Sequence, residues 1–267
     1  MPKKRVFLIG NPVKHSLSPA MHNAGFKYLG LDYEYSLKET KEEDLEAVIN
    51  SLRDNGVAGA NVTIPYKQKV MQYLDDITDE AKKIGAVNTI VNKDGKLLGD
   101  NTDGKGFIRS LKTRAEIKDK TVYVCGAGGA ARAIVASLIQ EGAKDIYIYD
   151  VVKEKAEALA KPGSNAHANA KVDSKNIDIL VNTAPCGMEE GDETMPVSEG
   201  FLHQNMFVYD IVYNRETRLI KTAKKIGIKT ASGIEMLLFQ GVIGFELWTN
   251  KKAPVDVMRE ALIDAMK

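Results

Sequence analysis

The stretch VYVCGAGGAARAIVASLIQEGAKDIYIYD, residues 122–150, constrains the fold more than any other. An apolar run leads into Gly126, Gly128 and Ala131 in G-x-G-x-x-A spacing. Ile134, Val135, Leu138 and Ile139 then share one helical face, Gly142 ends the helix, and a second apolar run closes on the acidic Asp150. Strand, tight turn, helix and strand in this order form a β-α-β unit. Small residues at such a turn let the backbone approach a pyrophosphate, and the helix N-terminus presents free N–H groups and positive dipole to it. The same residues also suit a tight turn with no ligand. The strand, helix and terminal acid together favour a dinucleotide, and the modest length of the domain favours nicotinamide over flavin.

The rest of the chain repeats the alternation. RVFLIG, DYEYSLK and VAGANVTI read as strands between helical patterns, each ended by Gly or a polar cluster, which is the rhythm of an α/β protein. AVNTIVNKDGKLLGDNTD reads as a hairpin turning at Asp94-Gly95. The boundary falls there: residues 1–102 form one domain and 103–234 a second, Rossmann-like dinucleotide-binding domain. The segment 235–267 carries two helical patterns, separated at Pro254, with no strand to follow. The expected fold is therefore two α/β domains, with the C-terminal helices returning to the first.

Lys plus Arg number 37 and Asp plus Glu 36, so no broad positive field exists to hold nucleic acid or an anionic membrane. No apolar run is long enough for a spanning helix or a signal segment, and a small-molecule partner is expected. Cys125 and Cys186 stand apart in no metal-binding pattern, which favours the reducing cytoplasm and no metal site.

Polar pairs recur where strands finish: Asn61 with Thr63, Asn88-Thr89, Asn101-Thr102 and Asn182-Thr183. Strand ends in open α/β sheets face the ligand crevice, so four such pairs point to a hydroxyl-rich ligand, although each alone is ordinary turn chemistry. In HSLSPAMHN, Ser18 reads as a helix N-cap with Pro19 as first helical residue, while Ser16 and Ser18, two apart, face one side and suit a carboxylate. Asp103 opens a helical pattern and reads as a cap or as a partner for Lys67, which follows the strand-ending NVTIPY.

In order, GNPVKHSLSPAMHN, NVTIPYK, GAVNTIV, GDNTDGKGF, GAGGAARA, NTAPCGM, VYDIVYN and GIEMLLFQGVIGFELW resemble the shikimate dehydrogenases over essentially the whole chain. The resemblance implies reversible reduction of 3-dehydroshikimate to shikimate with a nicotinamide cofactor, in the shikimate pathway of aromatic amino acid biosynthesis. It puts Lys67 and Asp103 at the catalytic centre. Ser16 and Ser18 would bind the substrate carboxylate, with Tyr213 nearby, and Asn61, Thr63, Asn88 and Gln240 would line the hydroxyl and carbonyl side. Gly126, Gly128, Gly129 and Ala130 would cradle the pyrophosphate, with Gly233 and Met236 beside the nicotinamide.

The resemblance departs from the family at the loop after the second nucleotide-domain strand. There Asp150, Val151 and Val152 stand where Asn-Arg-Thr is usual. The missing arginine and the carboxylate of Asp150, suited to ribose hydroxyls, favour NAD over NADP. Arg132, Lys153 and Lys155 are the cations near this site in sequence that could supply positive charge to a phosphate, but a solvated helix face is their more ordinary reading. A quinate or dual quinate/shikimate dehydrogenase using NAD shares these motifs. A non-catalytic dinucleotide-binding regulator is the rival of another class, disfavoured by the presence of both Lys67 and Asp103. A monomer or a homodimer fits equally.

Overall fold

The computed structural model describes residues 3–267. The chain forms two compact units, Met1–Gly106 with Leu237–Lys267, and Phe107–Met236. The first unit contains β1 (Lys4–Gly10), α1 (Ser18–Tyr28), β2 (Tyr33–Glu39), α2 (Leu45–Ser51), β3 (Val57–Val62), β4 (Asp76–Ile77), α3 (Asp79–Ile84), β5 (Thr89–Lys93), β6 (Lys96–Asp100) and the start of α4 (Asp103–Leu111). Its sheet runs β2-β1-β3-β5-β6-β4. The strands β2, β1 and β3 are parallel, while β5 enters antiparallel to β3 and pairs with β6 as the expected hairpin, closing through Asp94 and Gly95.

Apolar side chains of β1, β3, β5 and α2, among them Ile9, Val62, Ile90, Leu45 and Ile49, form one core of this unit with the buried Tyr66. Every residue of β3 is buried, as expected for a strand covered on both faces.

The second unit contains β7 (Thr121–Cys125), α5 (Gly129–Gln140), β8 (Asp145–Tyr149), α6 (Lys153–Glu157), β9 (Ala166–Ala168), β10 (Ile179–Asn182), β11 (Phe207–Asp210), α7 (Arg218–Lys225) and β12 (Lys229–Ser232). Its six parallel strands lie in the order β12-β11-β10-β7-β8-β9. The order reverses between β7 and β10, creating a crevice beyond their C-terminal ends, as in doubly wound nucleotide-binding sheets. Ile134, Val135 and Leu138 of α5 pack on Val122, Val124, Ile146 and Ile148 of the strands.

The final helices are α8 (Ile234–Thr249) and α9 (Val255–Asp264). From Leu237 onward they belong to the first unit, and α9 packs on α1. Trp248 of α8 donates its indole N–H to the carbonyl of Ile90 at 2.9 Å, and Tyr33 of β2 donates its hydroxyl to the carbonyl of Trp248 at 3.3 Å. Among the described residues no helix is long and apolar enough to cross a membrane.

Candidate active site

In the first unit β1 and β3 run parallel with Ile9 opposite Val62, and β3, β5 and β6 align Asn61 with Thr89 and Thr89 with Asp100. The segment after β1, the turn after β3, the approach to β5 and the exit of β6 therefore all emerge at one sheet edge. Ser16, Ser18, Thr63, Lys67, Asn88 and Asp103 lie on those segments.

Lys67 is held by its flanks. Tyr66 donates its backbone N–H to the carbonyl of Thr63 and its buried hydroxyl to the carbonyl of Thr40 at 2.7 Å, while Val87 donates its N–H to the Lys67 carbonyl. Pro65 closes off the strand ladder at this point. The ammonium of Lys67 donates to Asp103 Oδ2 at 2.5 Å, with side-chain exposures of 14% and 7%. Such a charge-assisted bond, shielded from water, is stronger than a surface ion pair.

Asp103 begins α4 but its carboxylate does not cap it. Oδ2 takes Lys67, and Oδ1 takes the Asn88 amide at 2.9 Å. The Asp103 backbone N–H is instead bound by Asn101 Oδ1. Asn88 also donates to Gln240 Oε1 at 3.4 Å, and Gln240 anchors its own amide on the carbonyl of Leu237. Asn61 donates to the Asn88 carbonyl at 3.1 Å. Lys67, Asp103, Asn88, Asn61 and Gln240 thus form one hydrogen-bonded group.

Ser16 and Ser18 form a separate pair, Oγ to Oγ 3.2 Å. Ser18 is the first helical residue rather than the expected N-cap. Leu17 occupies the cap position, and Ser16 Oγ accepts the Ser18 N–H at 3.3 Å. The Ser18 hydroxyl is therefore not committed to capping, which leaves both hydroxyls to act together. Thr63 follows β3 with its backbone N–H on the carbonyl of Ile9.

In the second unit Gly126 turns with φ 97°, and a β-carbon there would stand 2.6 Å from Thr183 Oγ1 and 2.9 Å from Ala184 N, so glycine is required. Gly128 is the N-cap of α5 in extended conformation, exposed and with open space around it, and Gly129 and Ala130 start the helix half-buried. This exposed N-terminus beside the sheet reversal fits a pyrophosphate. Asp150 at the end of β8 accepts the Ala127 N–H at 2.8 Å and the Val152 N–H at 2.9 Å, one with each carboxylate oxygen. Arg132 is half-buried, and its Nε has no hydrogen-bond partner among the described residues. Gly233 donates to the carbonyl of Val212 at 3.3 Å, Met236 is buried in the unit's core, and Tyr213 is half-buried after β11.

Sequence reasoning gave no role to Asp210, which ends β11 fully buried. Thr217 donates to it at 2.6 Å, Asn182 at 2.9 Å and the Val212 N–H at 3.1 Å, shaping the segment that carries Tyr213. Burial raises its pKa and these hydrogen bonds pull it back. The signal was present in VYDIVYN, an acid closing an apolar strand.

Residues 8–90 match the family domain described as "Shikimate dehydrogenase substrate binding domain", and residues 233–263 match "Shikimate 5'-dehydrogenase C-terminal domain". A curated relative from Methanopyrus kandleri, named shikimate dehydrogenase (NADP(+)), is 43% identical over 98% of this chain and 96% of its own. The crystal structure of a shikimate dehydrogenase in complex with NADP+ superposes with a TM-score of 0.91 at 42% identity, covering 99% of this chain and 96% of that one. The Thermus thermophilus enzyme in complex with NADP(H) and shikimate gives a TM-score of 0.89 at 34% identity, covering 98% and 99%. None of these three names supports the expectation of NAD. Resemblance at this level over nearly the full length establishes that the chain belongs to the shikimate dehydrogenase family.

Proposed function

We propose that this chain reversibly reduces 3-dehydroshikimate to shikimate with a nicotinamide dinucleotide, a step of aromatic amino acid biosynthesis carried out in the cytoplasm by a monomer or homodimer. The observation that carries the reading is the shielded 2.5 Å contact of Lys67 with Asp103, beside Asn88 and Gln240. When bound, the nicotinamide supplies hydride to the ketone carbon or takes it from the alcohol carbon. Negative charge on the ketone oxygen is met by the Lys67 ammonium, which stabilises it and passes it a proton. Asp103 orients that ammonium, and Asn88 orients Asp103. Ser16 and Ser18 hold the substrate carboxylate through neutral hydroxyls, Tyr213 is a further substrate ligand implied by the family resemblance, and Thr63, Asn61 and Gln240 line the hydroxyl side. Gly126, Gly128, Gly129 and Ala130 hold the pyrophosphate, Arg132 and Asp150 flank the adenosine end, and Gly233 and Met236 lie by the nicotinamide.

For the cofactor we favour NADP. Both Asp150 oxygens are engaged by backbone N–H groups, which offset its charge and weaken the case for NAD, and the relatives' names support the phosphorylated form. The test follows nicotinamide absorbance with shikimate and quinate, each against NADP and NAD. Shikimate with NADP should give the highest kcat/KM. Higher efficiency with NAD would restore Asp150 as a ribose ligand, higher efficiency with quinate would change the substrate, and no turnover with any pair would leave a non-catalytic dinucleotide binder. Val151 is 86% exposed, and Val151→Arg should favour NADP further by roughly tenfold.

A further inference from the structure

The buried tyrosine of β2 is joined to the Lys67–Asp103 pair by a hydrogen-bond chain through Asn61, Thr89 and Asn88. A carboxylate only accepts, so Asn88 must turn its Nδ2 to Asp103 Oδ1, 2.9 Å away. Its Oδ1 then faces two donors, the Thr102 N–H at 2.8 Å and the Thr89 hydroxyl at 2.9 Å. Thr89 has one proton, and Asn88 Oδ1 at 2.9 Å is a nearer acceptor than Thr102 Oγ1 at 3.3 Å, so the proton goes to Asn88 and Thr89 Oγ1 accepts from Asn61 Nδ2 at 3.1 Å. With the second Nδ2 proton on the Asn88 carbonyl, Asn61 turns its Oδ1 to the Tyr35 hydroxyl, which donates at 2.8 Å. Tyr35, Asn61, Asn88, Thr89 and Asp103 are all buried, so water is poorly placed to replace a lost member. The tyrosine ring is itself fixed by stacking on His22, with centroids 4.4 Å apart and 7° between planes.

We propose that Tyr35 is a positioning residue for the Lys67–Asp103 pair, acting through Asn61, Thr89 and Asn88. Its hydroxyl holds the Asn61 amide from the oxygen side while the Asn88 carbonyl holds it from the nitrogen side. Without it, buried Asn61 Oδ1 loses the Tyr35 donor, the amide is held from one side only and its grip on Thr89 Oγ1 loosens, and the threonine proton is free to turn from Asn88 to Thr102 Oγ1, 3.3 Å away. Asn88 loses one of the donors that hold its Nδ2 on Asp103, and the carboxylate that orients Lys67 loosens. Donor chains of this kind are more than the sum of their pairs in a dry site.

The inference rests on the proposed dehydrogenase activity for its kinetic test, and a second readout is independent of turnover. Tyr35→Phe keeps the ring and removes only the hydroxyl. It should lower kcat for shikimate oxidation about fivefold, with the KM of the dinucleotide, whose proposed residues lie in the other unit, within about twofold. Thr89→Val removes the middle link and should do the same. The double variant should be no slower than the slower single, and Tyr35→Phe should have no further effect in a Lys67→Ala background. Hydrogen exchange of the Asn88 side-chain amide, followed by NMR, should quicken in Tyr35→Phe and Thr89→Val alike. Multiplying effects of the two variants, a Tyr35→Phe kcat within twofold of wild type, or unchanged Asn88 exchange would each overturn the proposal. If the wild type fails to oxidise shikimate, the activity reading falls, and the exchange measurement still decides the relay. If Tyr35→Phe does not fold, Thr89→Val alone decides it by the same two readouts.

Discussion

His22, on α1, should make the first unit sensitive to mild acid. It is fully buried, stacked on Tyr35 and 5.3 Å from Trp248, and neither ring nitrogen has a hydrogen-bond partner among the described residues. Burial pushes its pKa down to about 3 from the ordinary 6.5. In the unfolded chain the ring takes a proton near the ordinary value, whereas in the folded chain it stays neutral to far lower pH. Between these limits the unfolded state binds more protons, so stability is complete above the unfolded value and is lost as pH falls from 6.5 towards 3. At ~1.4 kcal/mol per unit, a step from about pH 7 to about pH 5 removes about 2 kcal/mol. His22→Phe keeps a ring in the stack and removes both unpaired nitrogens. Urea unfolding followed by Trp248, the one tryptophan of the chain, reads the first unit directly. Wild type should lose about 2 kcal/mol more than the variant over that pH step, and the variant should be at least as stable at neutral pH. Equal losses in the two proteins would refute the reasoning.

Lys67→Ala should lower kcat by a factor of about 10² to 10⁴ while substrate KM changes far less, measured by steady-state kinetics. Retained turnover would reduce Lys67 to a packing lysine. Asp103→Asn, which keeps an acceptor for Lys67, should retain more activity than Asp103→Ala in the same assay. Gly59→Ala would set a β-carbon 2.1 Å from the Ile90 carbonyl oxygen and 2.5 Å from Trp248 Nε1, at a φ of 156°. It should lower first-unit stability by about 3 kcal/mol or more, and an unchanged urea midpoint in Trp248 fluorescence would contradict that packing.

The nucleotide-binding half was the most legible part of the sequence, because its signal is local. Gly126, Gly128, the α5 face and Asp150 lie within one continuous stretch, and the hairpin at Asp94-Gly95 is a two-residue signal. Sheet order was not legible, since the reversal at β7 and the antiparallel entry of β5 are long-range pairings. Capping was misjudged at Ser18, and at Asp103 it was one of two readings, of which the Lys67 pairing holds. Ser18 and Asp103 each stand at a helix start, but their polar atoms serve Ser16 in one case and Lys67 and Asn88 in the other. Tyr35 and Thr89 read as ordinary strand residues. Their hydroxyls acquire meaning only from Asn61, 26 and 28 residues away along the chain. The NAD expectation treated Asp150 as a free carboxylate, whereas its oxygens are engaged by the backbone of Ala127 and Val152.

The first unit is discontinuous in the chain, with its closing helices α8 and α9 separated from the rest by the whole of Phe107–Met236. During synthesis this imposes an order of assembly. Roughly 160 residues, from Phe107 to the end of α9, at 5–20 residues per second delay closure by about 8–32 s after Gly106 is made. Within that interval the Ile90 carbonyl awaits Trp248, and α1 awaits α9. The nucleotide-binding unit, complete at Met236, is free to fold first although it begins second. A nascent chain stalled shortly after Met236 has emerged should therefore present a folded second unit beside an open first one, and chaperone capture should fall on the earlier residues rather than the later.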